Sequence, residues 1–131
     1  MSLDNIRVSE AARDSLVKLK RYTKIPHWNT LCRWAFCASL AEPSAPTPAK
    51  HPADSTVEMS WKTFGGQYAD VYLALLKQRC FEDGIALTDE ALSAQFRLHL
   101  HRGIGYLAAD RRLRNIAALH RAIAPDTASL L

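Results

Sequence analysis

Two rhythms of apolar positions open the chain. Ile6-Arg7-Val8 alternates apolar and polar over three residues, the pattern of a short edge or paired strand. Behind it Ala12, Leu16 and Leu19 recur at helical spacing. Ser9 suits the N-cap of that helix, with Glu10 and Asp14 where acidic side chains favour the helix dipole. The spacing predicts an amphipathic helix from Glu10 to about Tyr22. Pro26 ends it and biases Ile25 toward an extended conformation. Asn29 then caps a second predicted helix, about Thr30 to Ala41. Leu31, Cys32, Trp34, Ala35, Phe36, Cys37 and Leu40 make that helix apolar nearly all round. Such a helix has to be covered on most sides, in the middle of a core or by another subunit.

The next stretch carries Pro43, Pro46, Pro48 and Pro52 among Ala and Ser, so about 42–55 reads as an extended connector. Val57, Met59 and Trp61 alternate with Glu58, Ser60 and Lys62, which predicts a short strand. Gly65-Gly66 marks a sharp turn. Tyr68, Val71, Tyr72, Leu75, Leu76 and Cys80 follow at helical spacing, and Gly84 is placed to end that helix. Thr88 caps the next, with Asp89 and Glu90 in its first turn and Leu92, Gln95, Phe96 and His99 on one face. Gly103 and Gly105 are expected to loosen or kink it. A last helix is predicted over about Arg111 to Ile123, with Leu113, Ile116, Ala117 and His120 inward. The expected fold is mainly α: a compact helical domain spanning 1–131 with a short N-terminal strand. Its strand, basic helix, turn and apolar helix resemble the start of a ribbon-helix-helix protein, in which two chains share a strand pair. A three-residue strand is not stable alone, so this start points to an oligomer.

Composition changes little in that picture, but charge adds to it. At 131 residues and 48% hydrophobic, the chain is long enough to bury a core without disulfides or metal. Cys32, Cys37 and Cys80 form no Cys-x-x-Cys pair, and the first two read as small buried hydrophobes. No apolar run reaches the roughly 20 residues of a membrane span, and the first residues lack a signal-peptide pattern, so a cytoplasmic protein is expected. The net charge of +4 is unevenly laid out: +4 over Met1–Arg33, −4 over Trp34–Phe96 and +5 over Arg97–Arg121. Two basic ends around an acidic middle favour a polyanion partner, provided that the ends lie side by side.

Candidate chemistry follows the charge. Arg13, Lys20, Arg21 and Lys24 fall in one sector of the first helix and Lys18 flanks it, a set suited to phosphate contacts that position a duplex without reading bases. Arg102, Arg111, Arg112 and Arg114 form a second basic cluster. Gly65 and Gly66 could free backbone N–H groups for an anion, although the Lys-Ser/Thr of a nucleotide-binding loop is absent. His99 and His101, two apart, face different sides of one helix and do not chelate one metal. No catalytic constellation, metal set or cofactor motif stands out; Asp54, Glu58 and Lys62 only loosely match a nuclease's acid-acid-lysine set.

Several long strings resemble the DndE family, small components of the bacterial DNA phosphorothioation machinery. They are Ile6-Arg7-Val8-Ser9, Leu16-Val17-Lys18-Leu19-Lys20, Trp28 to Cys37, Val57 to Gly66, Tyr72 to Cys80 and Gln95 to Ile104. The likeness runs from about Ile6 to Leu107. It implies work beside a cysteine desulfurase, a sulfur-transferring iron–sulfur enzyme and an ATPase that replace a non-bridging phosphate oxygen with sulfur. It further implies a helical protein that self-associates as a dimer or tetramer and prefers nicked double-stranded DNA through surface lysines. The corresponding positions here are Lys18, Lys20, Arg21 and Lys24. Three roles are consistent with this: a DNA-binding accessory subunit, a metal-dependent nickase using carboxylates such as Glu58 or Asp70, or an adaptor whose acidic middle docks the ATPase or the sulfur-transfer subunit.

Overall fold

In the computed structural model, which describes residues 5–115 except the side chains of the last two, the chain runs through β1 (Asn5–Arg7), α1 (Glu10–Thr23), α2 (Trp28–Ala41), β2 (Glu58–Ser60), α3 (Trp61–Gly65), a 3-10 turn (Gly66–Tyr68), α4 (Ala69–Glu82), α5 (Asp89–Ala109) and a 3-10 turn (Arg111–Asn115). Side chains set the starts of three helices. Ser9, Ser60 and Thr88 accept hydrogen bonds from the backbone N–H of Ala12, Thr63 and Ala91 at 3.1, 3.0 and 3.2 Å. Gly84, in the left-handed region at φ 73°, follows the end of α4 as its spacing predicts. No helix among the described residues is long and apolar enough to cross a membrane.

The core lies where α2 and α5 cross. Phe36, Phe64, Phe96 and Leu100 are fully buried there, and Phe36 meets Phe64 edge-on at 5.9 Å and Phe96 at 5.2 Å. The crossing is close because Gly103 faces the Ala35 backbone, where a Cβ would overlap the carbonyl. Helix α5 therefore does not loosen at Gly103 and Gly105; it runs unbroken, with Gly103 as its contact point and Gly105 open to solvent.

Three further expectations are corrected. The first strand needs no second chain: β1 pairs antiparallel with β2 of the same chain, Ile6 opposite Met59, so the ribbon-helix-helix plan of a shared strand pair does not hold. Helix α2 is buried on one side, through Leu31, Cys32, Ala35 and Phe36, and not nearly all round: Trp34 is exposed, and so is Cys37, which was expected to be buried. Burial pushes the Cys32 thiol up to about 12, as befits a core hydrophobe. Finally α2 begins at Trp28 with His27 at its cap, because the Asn29 amide donates to the Thr63 carbonyl and so ties α2 to α3. The predicted helix beyond Asn115 lies outside the described residues.

The Pro-rich connector has no regular structure, yet it is strapped down. Arg79, 7% exposed, pairs with Asp83 at 3.0 Å and donates to the carbonyls of Leu40, Glu42 and Ser44 at 3.0, 2.8 and 2.6 Å. Arg97 donates to the carbonyls of Arg7 and His51, and the His51 ring stacks on His101 at 4.1 Å. Arg102 donates to the Ser39 hydroxyl at 2.8 Å and to the carbonyls of Ser39 and Ser44 at 2.9 Å. The same Ser39 hydroxyl, which accepts from the guanidinium, lies 2.8 Å from His99 Nδ1. Its other ring nitrogen, His99 Nε2, is buried without a partner among the described residues. Burial, then the nearby Arg79 and Arg102, push its pKa down to about 4. The neighbouring His101 accepts from Ser9 N–H through Nε2 and donates from Nδ1 to the Arg97 carbonyl, so it too is held neutral, with burial lowering it to about 4.

Candidate nucleic-acid interface

Helix α1 buries Ala12, Leu16, Leu19 and Thr23 and leaves its basic residues outside. Arg13 and Lys20 are two turns apart on one flank, and Lys18 and Arg21 are fully on the surface. Lys24 caps the helix in a left-handed conformation, φ 62°, the one non-glycine residue with positive φ among those described. Its backbone N–H closes on the Lys20 carbonyl at 3.0 Å. Directly after it, Thr23 Oγ1 accepts from Ile25 N–H at 3.3 Å and Pro26 turns the chain into α2. The turn brings Trp28 back under α1, where Lys20 Nζ lies 3.8 Å from the centre of the indole.

Lys20 and Arg21 in the last turn also complement the negative end of the helix dipole, which is a sufficient structural reason for two of these charges. Ion pairing separates the cations further. Among the described residues, acidic side chains pair with Arg7, Arg13, Arg79 and Arg112, and none of these pairs draws on the C-terminal half of α1. The expected set thus divides: Arg13 reaches Asp14 at 4.0 Å, whereas Lys18, Lys20, Arg21 and Lys24 face solvent or the indole.

The second basic cluster does not assemble as one surface. Arg102 is the internal clamp described above, and Arg112 is held by Asp110 at 2.8 Å. Arg111 is exposed on a turn that packs against α1, and the Arg114 side chain lies outside the described residues. Sterics account for both turn glycines. A Cβ on Gly65 would sit 2.8 Å from that of Ala69, and Gly66 has φ 57°. Asp70 occupies the first turn of the helix that follows.

Residues outside the expected set line the same region. A depression of about 240 Å³ lies beyond the end of α1, bounded by Lys20, His27, Trp28, Asn29, Glu58, Met59 and Thr63. Farther along, the Arg33 guanidinium stands 3.7 Å from where a Cβ on Gly66 would be, held by the Asn29 carbonyl at 3.3 Å. Arg33 sits within an apolar stretch of sequence, and only the fold shows that it faces a glycine turn. Glu58 is held by Arg7 at 2.6 Å. Hydrogen bonds from Asn5 and Arg7 keep its carboxyl below the usual carboxylate range. Asp70 is exposed on α4, and among the described residues no three His, Cys, Asp or Glu side chains group as a metal site.

A family model described as DNA sulphur modification protein DndE matches residues 5–115. The fold is similar to that of DndE from Escherichia coli B7A, a protein involved in DNA phosphorothioation modification. That match has a TM-score of 0.63 and 28% identity, covering 79% of this chain and 96% of that one. A DndE mutant involved in DNA phosphorothioation matches with the same TM-score, 0.63, at 24% identity, over 82% of this chain and 98% of its own. Among curated proteins none matches.

Proposed function

The chain belongs to the DndE family of DNA sulphur modification proteins, and from that premise we propose that it is a DNA-binding accessory subunit of the phosphorothioation system that prefers nicked double-stranded DNA. The observation that carries this reading is the group of cations at the end of α1, Lys18, Lys20, Arg21 and Lys24, which no acidic side chain among the described residues neutralises by an ion pair. Such groups bind the sugar–phosphate backbone and release its counterions, so they favour duplex of any sequence. A nick lowers the work of bending, which lets both duplex arms settle on one charged face. Arg111, exposed on a turn that packs against α1, is a candidate further contact. Titrations of nicked and intact duplex at several salt concentrations test the reading. The nicked duplex binds more tightly, and each alanine at Lys20, Arg21 or Lys24 lowers the salt slope by about 1. Equal affinity for both duplexes removes the nick preference, and an unchanged slope in the triple variant removes the surface.

One observation favours an additional role as an adaptor. Tyr68, Val71, Leu75, Phe81 and Leu87 are 43 to 71% exposed on and beside α4, and Phe81 and Leu87 line one shallow depression with Ala74. It would serve contact with a second copy, giving the dimer or tetramer, or with the sulfur-transfer enzyme or the ATPase. Phe81→Glu should lower the mass in solution or break the complex with the other subunits; if neither changes, this role is rejected.

A further inference from the structure

We propose that the depression between the end of α1, the start of α2 and β2 takes one unpaired nucleobase of a DNA strand, stacked on Trp28 in the place that Lys20 now fills. The proposal rests on the DNA-binding reading above and adds to it a specific ligand. The depression, about 240 Å³, is smaller than the roughly 300 Å³ at which sites for drug-sized molecules begin, which suits a single ring system. Its lining is mixed: polar groups predominate slightly, and the apolar part comes from Pro26, from Trp28, half-buried and packed against the core, and from Met59, 8% exposed. Its rim offers donors from Lys20 and His27, and Glu58 and Thr63, already engaged by Arg7 and Asn29, keep spare lone pairs for a base edge.

The contact between Lys20 and Trp28 supplies the exchange. The indole packs against the core, but what lies over it is the flexible arm of a lysine, 3.8 Å away, and not an apolar side chain. A base stacks on an aromatic ring more strongly than an exposed ammonium does. When the base enters, the Lys20 ammonium moves to the adjacent phosphate, so one contact is replaced by two. A base within an intact duplex is stacked on both faces and cannot reach a recess in a protein surface, so only an unpaired one enters.

The test uses the full chain with Trp34→Phe, which removes the exposed indole and leaves Trp28 beside the buried Trp61. An intact duplex and the same duplex carrying one unpaired base are titrated at fixed salt, following affinity and tryptophan fluorescence. The unpaired base should bind about fivefold more tightly or better and quench Trp28. Trp28→Leu should bind the intact duplex unchanged and lose the gain, and Trp28→Phe, which keeps a ring, should retain part of it. Equal affinity and equal fluorescence for the two duplexes overturns the pocket and leaves the DNA-binding reading standing. If neither duplex binds, both fall.

Discussion

Adding one methyl group at Gly103 probes the tightest contact in the fold. A Cβ there would fall within 3.0 Å of three Ala35 backbone atoms, two of them well inside it, and a backbone carbonyl cannot turn aside as a side chain can. The α2–α5 seam must open to admit it, loosening the packing of Phe36 against Phe96. Overpacking costs about 1–3 kcal/mol, and the rigid obstacle puts Gly103→Ala at the top of that range. Alanine's higher helix propensity offsets about 1 kcal/mol, leaving a net loss of about 2 kcal/mol. With an unfolding entropy near 2.1 cal/mol/K per residue, this corresponds to about 7 °C in Tm. Gly105, one half-turn away in the same helix, is the internal control. Nothing lies within 4 Å of a Cβ there, so Gly105→Ala should gain about 0.5–1 kcal/mol. Urea unfolding at equal m-value separates the two, with midpoints moving in opposite directions. If Gly103→Ala is as stable as Gly105→Ala, the close crossing of α2 and α5 is refuted.

Other changes have equally definite signs. Lys24→Gly should raise stability by about 1 kcal/mol, because it relieves a left-handed lysine, while weakening duplex binding; a urea melt and a DNA titration of one sample check both. Arg79→Met strands Asp83 and several carbonyls, so it should cost about 3 kcal/mol or more and speed cleavage within 42–55 in limited proteolysis. His99 and His101 titrate near 4 when folded but near 6.5 when unfolded. Stability is therefore full above pH 6.5 and declines as the pH falls toward 4, with a slope approaching 1.4 kcal/mol per pH unit for each ring. Urea midpoints at pH 5 and 7 should show this, with a smaller difference in His101→Gln; no difference in the parent protein refutes the neutral pair.

Local signals were legible where a side chain acts on its own neighbourhood. Ser9 and Thr88 cap the helices that their sequence context predicts, and Gly84 ends α4. Errors arose where a distant partner decides. Asn29 has the chemistry of a cap, but its amide bonds to the Thr63 carbonyl, 34 residues on, and the helix starts a turn's fraction earlier. Trp61 continues the alternation of Val57 and Met59, yet Ser60 caps a helix there and Trp61 is its first residue. Gly103 and Gly105 look alike in one dimension, and only the proximity of Ala35 distinguishes contact from solvent. The candidate site followed the same rule. The α1 lysines were legible from their spacing, whereas the depression beside Trp28 needs residues from α1, α2, β2 and α3 that no linear pattern joins.

The basic residues themselves show why a charge count overstates an interface. The region after Phe96 has the most positive segment of the sequence, yet Arg97 and Arg102 direct their donors at backbone carbonyls of the connector and Arg112 faces Asp110. Arginine suits that structural task because five donors in a planar fork satisfy several carbonyls at once, as Arg79 also does. Lysine, with one compact charge on a flexible arm, suits an adjustable contact with phosphate. Helix α1 and its cap place three lysines, Lys18, Lys20 and Lys24, on the outside, and no lysine is buried among the described residues. The residue types divide largely by environment: Arg79, Arg97 and Arg102 hold the connector, and at the end of α1 the lysines, with Arg21, remain available to a polyanion. Charge removal should accordingly separate the two groups, with variants of Arg79, Arg97 and Arg102 losing stability, and alanine at Lys18, Lys20 or Arg21 losing affinity at nearly unchanged stability.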